Sequence, residues 1–295
     1  MNDRFPIFIV NLQAGMGAGH HAMRQVEEFV DRMGGEVLAL RRGDDLATAV
    51  EQAICRGATD IIAVGGDGTV GGVAGAVAGK DVPMGIVPAG TANMFARELG
   101  IPLSISASLE LIRCRHSIRC IDAMDMNGRR FIHQVVIGVG SEALSSITPM
   151  QKLLLGRSVY PLKGLSIFLN FRLMKVTALI DDREVHADAS QIIIANSGIL
   201  GARLFRLGTD IRVDDGKLDV VLMKSRDRTE FMIAGLDLLA GNYDQCSWLD
   251  FFPARRAVRV WTDPPTIIRA DGESFGTTPM SLTVLPGAVN IIVPP

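Results

Sequence analysis

Apolar and polar positions follow two different rhythms along this chain of 295 residues. Through the first ~120 of them, short apolar runs alternate with helical patterns, the signature of βαβ units. Pro6–Val10 reads as a strand, followed by a Gly-rich turn and a helix from about His20 to Met33. Glu36–Leu40 is a second strand. Asp44 or Asp45 can cap the next helix, with Leu46, Val50, Ala53 and Ile54 on its inner face. Asp60–Val64 and Pro83–Val87 are further strands, ending at Gly65-Gly66-Asp67-Gly68-Thr69 and at Pro88-Ala89-Gly90-Thr91. Near-continuous apolar strands of this kind suit a parallel sheet covered on both faces. In such sheets ligands bind beyond the carboxyl ends of the strands, where all three Gly-containing turns fall.

From about Ala123 the rhythm changes to strand after strand. Arg130–Val139, Val176–Asp181, Gln191–Asn196, Leu218–Met223, Val258–Trp261, Thr266–Ala270, Ser281–Leu285 and Val289–Val293 all carry that pattern. Helical insertions fall near Leu153–Leu173 and Thr229–Ala240. The pattern predicts an α/β plus β protein: a Rossmann-like parallel-sheet domain over residues 1–122 and an antiparallel β-sandwich over 123–295. No repeat or low-complexity linker separates the two, so they are expected to pack directly around a cleft.

Composition narrows the class. The length allows a large buried core, and the net charge of −2 supplies no field for nucleic acid, so no nucleic-acid partner is expected. Cys55, Cys114, Cys120 and Cys246 lack metal-binding spacing and read as reduced thiols. His116, His133 and His186 show no metal spacing and receive no role, while His20 and His21 read as solvent-facing at a helix start. The N-terminus carries no signal-peptide pattern. No apolar run reaches the roughly 18 residues of a membrane span. A soluble, cytoplasmic protein is the expectation, and the 48% hydrophobic content leaves room for a greasy substrate site.

The turn Gly65–Thr69 is the first chemical candidate. Glycines let backbone N–H groups approach a polyanion, and the helix that follows adds a positive partial charge. Asp67 can orient a metal ion or its water shell, and Thr69 can donate a hydroxyl or cap the helix. A tight strand-to-helix turn explains the same residues without a ligand. Gly71, Gly75 and Gly79 recur at spacing four, each costing a helix interior about 1 kcal/mol relative to alanine. Close packing of that face is the simplest account.

The order of landmarks along the whole chain resembles the diacylglycerol kinase catalytic-domain family in its bacterial soluble form, related to sphingosine and ceramide kinases. The landmarks are Asn11 to Gly15, Gly65 to Thr69, Pro88-Ala89-Gly90-Thr91-Ala92-Asn93, Ile121-Asp122, Asp214 to Asp219 and Asp271-Gly272-Glu273. The resemblance implies transfer of the ATP γ-phosphate to a lipid alcohol. It implies nucleotide contacts from Asn11, Gly15, Gly65, Gly66, Asp67, Gly68, Thr69 and Thr91. It puts Asp67 and Asp122 in a Mg2+-water network, Glu273 as general base and Asp271 as its support. It also implies a second, structural metal held by main-chain oxygens of Arg212 and Lys217 and by the Asp215 carboxylate. Chemistry agrees with the base: on an extended strand Asp271 and Glu273 would point the same way, and one carboxylate would raise the pKa of the other. A hairpin turn is the competing reading of Asp-Gly.

The chain departs from the family pattern at several points. Leu12-Gln13-Ala14 stand where a proline and serine are usual, Leu40 replaces a threonine, Gly71-Gly72 replace Asn-Glu, and Met94 replaces an aspartate. Three readings stay open at this stage: a working lipid kinase with a reshaped nucleotide site, a catalytically weak nucleotide- or lipid-binding relative, and a soluble-metabolite kinase such as an NAD kinase. The stretch Lys152–Lys175 mixes an apolar face with basic residues and offers a peripheral membrane contact, although such stretches more often cover their own core. A homodimer is left open.

Overall fold

In the computed structural model, the structure describes residues 4–13, 18–41, 43–114, 116–139, 171–200, 205–208, 210–241 and 246–295. Four parallel strands, β1 (Pro6–Asn11), β2 (Glu36–Leu40), β3 (Asp60–Gly65) and β4 (Met84–Pro88), lie in the order β2-β1-β3-β4. Alternate residues of β1 and β3 serve opposite faces, as the pleat dictates. Phe8, Val10, Ile62 and Val64 pack against α1 (Ala18–Met33), and α5 (Ile105–Arg113) adds Leu109 and Ile112 to the same layer. Ile7, Ile9, Ile61 and Ala63 meet α2 (Leu46–Cys55) and α3 (Asp67–Val77) on the other face. Asp45 is the cap that starts α2, its Oδ2 accepting the Thr48 N–H at 2.9 Å. A short helix, α4 (Met94–Glu98), follows the turn after β4.

The remaining strands are β5 (Ser117–Met126), β6 (Arg129–Phe131), β7 (Gln134–Gly138), β8 (Met174–Ile180), β9 (Arg183–Ala189), β10 (Gln191–Ala195), β11 (Ile199–Leu200) and β12 (Phe205–Arg206). They continue with β13 (Leu218–Met223), β14 (Leu249–Ala254), β15 (Ala257–Asp263), β16 (Ile267–Ala270), β17 (Glu273–Thr277) and β18 (Met280–Val293). A six-stranded antiparallel sheet runs β14-β13-β10-β7-β16-β17. Its inner strands β7, β10 and β13 are buried on both faces. One face packs on β8, β15 and β18 through Val176, Val258 and Leu282, and the other is covered by α6 (Arg228–Ala240) through Ala234 and Phe231. This is the sandwich that the alternating pattern predicted.

β18 joins the two halves. Its first residues pair with β15, while Ile291 pairs in parallel with Met84 of β4, and β5 lies antiparallel along much of its length. The two runs read separately at Ser281–Leu285 and Val289–Val293 are therefore one strand interrupted by a bulge. Conversely, the single run read at Arg130–Val139 is two strands, broken at Ile132-His133. The insertion expected near Leu153–Leu173 lies, up to residue 170, outside the described residues, whereas Thr229–Ala240 is helix α6.

Candidate active site

Three turns meet at the carboxyl ends of the parallel strands. Gly65 closes β3, and Gly66 is the N-cap of α3 without any side-chain cap. A Cβ on Gly65 would stand 2.5 Å from Thr69 Oγ1, so no larger residue fits the turn. Gly66 runs against Gly90, where a Cβ would come 3.2 Å from the Gly90 Cα. The Ala89 N–H donates to the Gly65 carbonyl at 2.8 Å, fixing the β4 turn to the β3 turn. Asn11 at the end of β1 donates from Nδ2 to Thr69 Oγ1 at 2.9 Å. Thr69 is therefore an acceptor inside the turn, buried, and does not cap the helix. Thr91 sits exposed on the β4 turn, and Gly15 lies outside the described residues.

Asp67 ties the fourth piece in place. Its Oδ1 accepts the Met94 N–H at 2.6 Å and the Phe95 N–H at 3.4 Å, so the carboxylate serves the first turn of α4. Where the family pattern carries a second carboxylate, position 94 contributes its main-chain N–H to Asp67. The residue before it, Asn93, is left-handed at φ 48° and braces the turn by exchanging hydrogen bonds with Gly90 at 3.0 and 2.9 Å.

The Asp271-Gly272-Glu273 segment is a hairpin turn. Ala270 pairs with Glu273, leaving Asp271 (φ 46°) and Gly272 (φ 89°) as the two central residues. The expectation of one extended strand with both carboxylates pointing the same way is corrected here, because the left-handed backbone at Asp271 turns its side chain inward. Its carboxylate accepts the N–H groups of Ile132 at 3.1 Å, His133 at 3.1 Å and Gln134 at 3.0 Å. Those bonds cause the break between β6 and β7. Burial pushes the Asp271 carboxyl up, opposed by the nearby His133 ring and the three amides. Glu273 instead stands in solvent, its Oε2 3.3 Å from an Arg129 nitrogen.

The glycine face of α3 explains how the two motifs meet. A Cβ on Gly71 would be 3.2 Å from Asp271 Oδ2, and one on Gly75 would run into the Arg130 carbonyl. Both glycines are there for close approach, and the approach brings the hairpin to within one helical turn of Asp67.

Asp122 makes its hydrogen bonds away from Asp67. Buried, it accepts the Gly216 N–H at 2.7 Å and the Gly287 N–H at 2.8 Å, which binds the 213–217 loop and the β18 bulge to β5. Burial raises its pKa against those two bonds, and Asp215 and Asp214 raise it further. Beside it, Lys217 Nζ reaches Asp219 at 3.0 Å and Asp215 at 3.4 Å, while Arg119 and Arg212 flank Asp214 at 2.8 and 3.6 Å. The Asp215 carboxylate thus already faces an ammonium.

Among the described residues, no three His, Cys, Asp or Glu side chains converge as a metal cage. A single oxygen donor such as Asp67 beside an N-terminal helix turn still fits magnesium, which keeps waters and takes phosphate oxygens to complete its octahedron.

Two residues that spacing did not single out belong to this region. His133 is 6% exposed, its ring 6.3 Å from Phe95, with neither ring nitrogen hydrogen-bonded. Burial holds its pKa down, against Asp271, Asp67 and Glu98. Arg129 reaches Glu273 across 144 positions of sequence, a pairing no local pattern encodes.

Comparison with known proteins agrees with this architecture. The diacylglycerol kinase catalytic domain profile matches residues 6–126, and the YegS C-terminal NAD kinase β-sandwich-like domain profile matches residues 133–293. A Pseudomonas aeruginosa protein named "Probable lipid kinase YegS-like" is 31% identical over 95% of this chain and 92% of its own length. The Bacillus subtilis protein named diacylglycerol kinase is 26% identical over 85% of this chain and 82% of its own. A longer Synechocystis protein is 30% identical over 83% of this chain, which spans only 57% of that relative. The crystal structure of a Bacillus anthracis protein named "putative diacylglycerol kinase" superposes with a TM-score of 0.81, at 25% identity, covering 100% of this chain and 98% of that one.

Proposed function

Because the chain belongs to the diacylglycerol kinase catalytic-domain family of phosphotransferases, we propose that it moves the γ-phosphate of ATP to the hydroxyl of a lipid alcohol such as diacylglycerol. The observation that carries this reading is the approach of the Asp271–Glu273 hairpin to Gly71 on α3, one helical turn beyond the phosphate turn.

In this reading the nucleotide phosphates lie on the N–H groups of Gly66, Asp67 and Gly68, with the α3 dipole behind them. Asn11, Gly65 and Thr69 hold the turn in shape, and Thr91 offers a hydroxyl at its lip. Gly15 is carried as a further nucleotide contact. Magnesium arriving with ATP would neutralise phosphate charge, held by Asp67 directly or through water. Asp122 acts on that network from a distance, through the loops it fixes. For the second cation, Asp215 and the main-chain oxygens of Arg212 and Lys217 are the proposed donors.

Glu273 accepts the proton of the acceptor hydroxyl as its oxygen bonds to the γ-phosphorus. The bond from that phosphorus to the bridging oxygen breaks, and ADP leaves with the electron pair. Asp271 does not share the proton: it holds the hairpin so that Glu273 faces the cleft. No helix among the described residues is long and apolar enough to cross a membrane. The amphipathic stretch proposed for that contact, Lys152–Lys175, lies mostly outside the described residues.

The test is transfer of radiolabelled phosphate from ATP to a panel of lipid alcohols in mixed micelles, with NAD and a sugar phosphate as controls. Transfer to a lipid is expected, falling about 100- to 10,000-fold in Glu273→Ala. Transfer to no lipid, or undiminished transfer in the variant, would overturn the reading.

A further inference from the structure

Two consecutive arginines on β6 are used in opposite ways. Arg130 is committed to structure, donating to the Ala78 carbonyl and facing Asp125 at 3.8 Å. Arg129 points to the other side, where its guanidinium lies 5.6 Å from the Phe131 ring centroid and 5.4 Å from that of Phe275. The two rings meet edge to face at 5.4 Å, so the clip itself is rigid. A cation over aromatic faces is placed without spending its N–H groups. Among the described residues its side chain makes one hydrogen bond, to Glu273 Oε2 at 3.3 Å, between side chains 59% and 71% exposed. An ion pair that open contributes little to stability, yet it sets a donor-rich guanidinium beside the carboxylate proposed as base.

We propose that Arg129 is a catalytic residue of this kinase: it leaves Glu273 and donates to the oxygens of the phosphoryl group in flight, facing it from the acceptor side. This rests on the reading of Glu273 as the base. Phosphoryl transfer spreads negative charge over three equatorial oxygens. The N-terminal amides of α3 would approach that charge from the nucleotide side, and the clip keeps Arg129 beside Glu273. Its departure also frees Glu273 for the hydroxyl proton. The acceptor oxygen bonds to phosphorus, its proton goes to Glu273, and ADP takes the electron pair of the broken bond. Arg129 changes only hydrogen-bond partners.

Full-length wild type, Arg129→Ala and Arg129→Lys are compared in two assays. In radiolabelled transfer from ATP to diacylglycerol micelles, Arg129→Ala should lower kcat about 100- to 1,000-fold, with the KM for ATP within about threefold. Arg129→Lys should recover less than about a tenth of the loss, because an ammonium cannot reproduce the planar fork. The second assay needs no acceptor: magnesium-ADP with aluminium fluoride, a mimic of the phosphoryl group in flight, is titrated by displacement of a fluorescent ADP. Arg129→Ala should weaken that complex by about tenfold or more and leave magnesium-ADP alone within about twofold. Unchanged kcat, full rescue by lysine, or a fluoride complex as tight as wild type would overturn the proposal. If wild type phosphorylates no lipid, the functional reading has failed, and the fluoride titration still decides the role of Arg129. Matching melting temperatures establish that the variants are folded.

Discussion

The two turns that face each other across the site are built on opposite principles. Gly65–Thr69 is shaped by what is missing: side chains are absent so that β3, β4 and α3 can touch backbone to backbone. Asp271–Glu273 is shaped by what one side chain supplies, three hydrogen bonds to the main chain of the β6–β7 junction. Within that second turn the contrast repeats. Two carboxylates separated by one glycine have opposite surroundings, one enclosed and occupied, the other open to solvent. Identical chemistry two positions apart thus divides into an enclosed, hydrogen-bonded group and an exposed one, and the left-handed backbone at Asp271 makes the division.

The sharpest way to break that contrast is to exchange the roles. Asp271→Ala should cost roughly 3–6 kcal/mol in urea unfolding, since three buried N–H groups lose their acceptor at about 1–3 kcal/mol each and some regain water. Glu273→Ala should cost under about 1 kcal/mol in the same experiment, because its ion pair with Arg129 is exposed. Equal losses would show that the two carboxylates are not divided as described.

A smaller effect tests the missing side chains. In an isolated helix Gly75→Ala would be worth about 1 kcal/mol in favour of folding. Here its methyl group would run into the Arg130 carbonyl, so the expected outcome is destabilisation by about 1–3 kcal/mol. A stabilised variant would mean that the glycine face is not tightly packed.

The smallest effect concerns His133, which sits between the two turns. Its folded-state pKa lies below the ordinary 6.5, chiefly through burial, so the unfolded chain binds the proton more tightly. Its share of stability is present above that value and is lost as pH falls below it. Melting temperature should therefore drop more steeply from pH 6.5 to about 5 in wild type than in His133→Phe. The raised Asp271 carboxyl acts in the opposite sense as pH falls, and it is present in both proteins. Parallel curves would place the imidazole outside this linkage.

Much of the fold was legible because burial writes itself into periodicity. Glu36–Leu40 and Leu218–Met223 are strands over the residues that their apolar runs predict. Among the unread strands, β5 and β14 are half buried, but two stay largely in solvent: β9 runs Arg183-Glu184-Val185-His186-Ala187-Asp188-Ala189, and β17 is an exposed edge. Ladder hydrogen bonds hold such strands, and the backbone carries no sequence signal. The site divides likewise. Its glycine turn and its Asp-Gly-Glu segment were legible as local motifs. The clamp formed by Asp122 was not, because its partners Gly216 and Gly287 lie 94 and 165 positions away. The same holds for the Asp271 carboxylate, whose amide partners Ile132, His133 and Gln134 lie 139, 138 and 137 positions away.

The passage of β18 through both halves has a consequence for how the molecule comes into being. β4 is translated about 200 residues before Ile291, the β18 residue that pairs with it, so the first sheet spends most of synthesis with an open edge. Neither half is then a self-sufficient folding unit. The two should gain protection from amide hydrogen exchange together, and a ribosome-bound chain lacking β18 should expose β4 and β5 to chaperones and proteases.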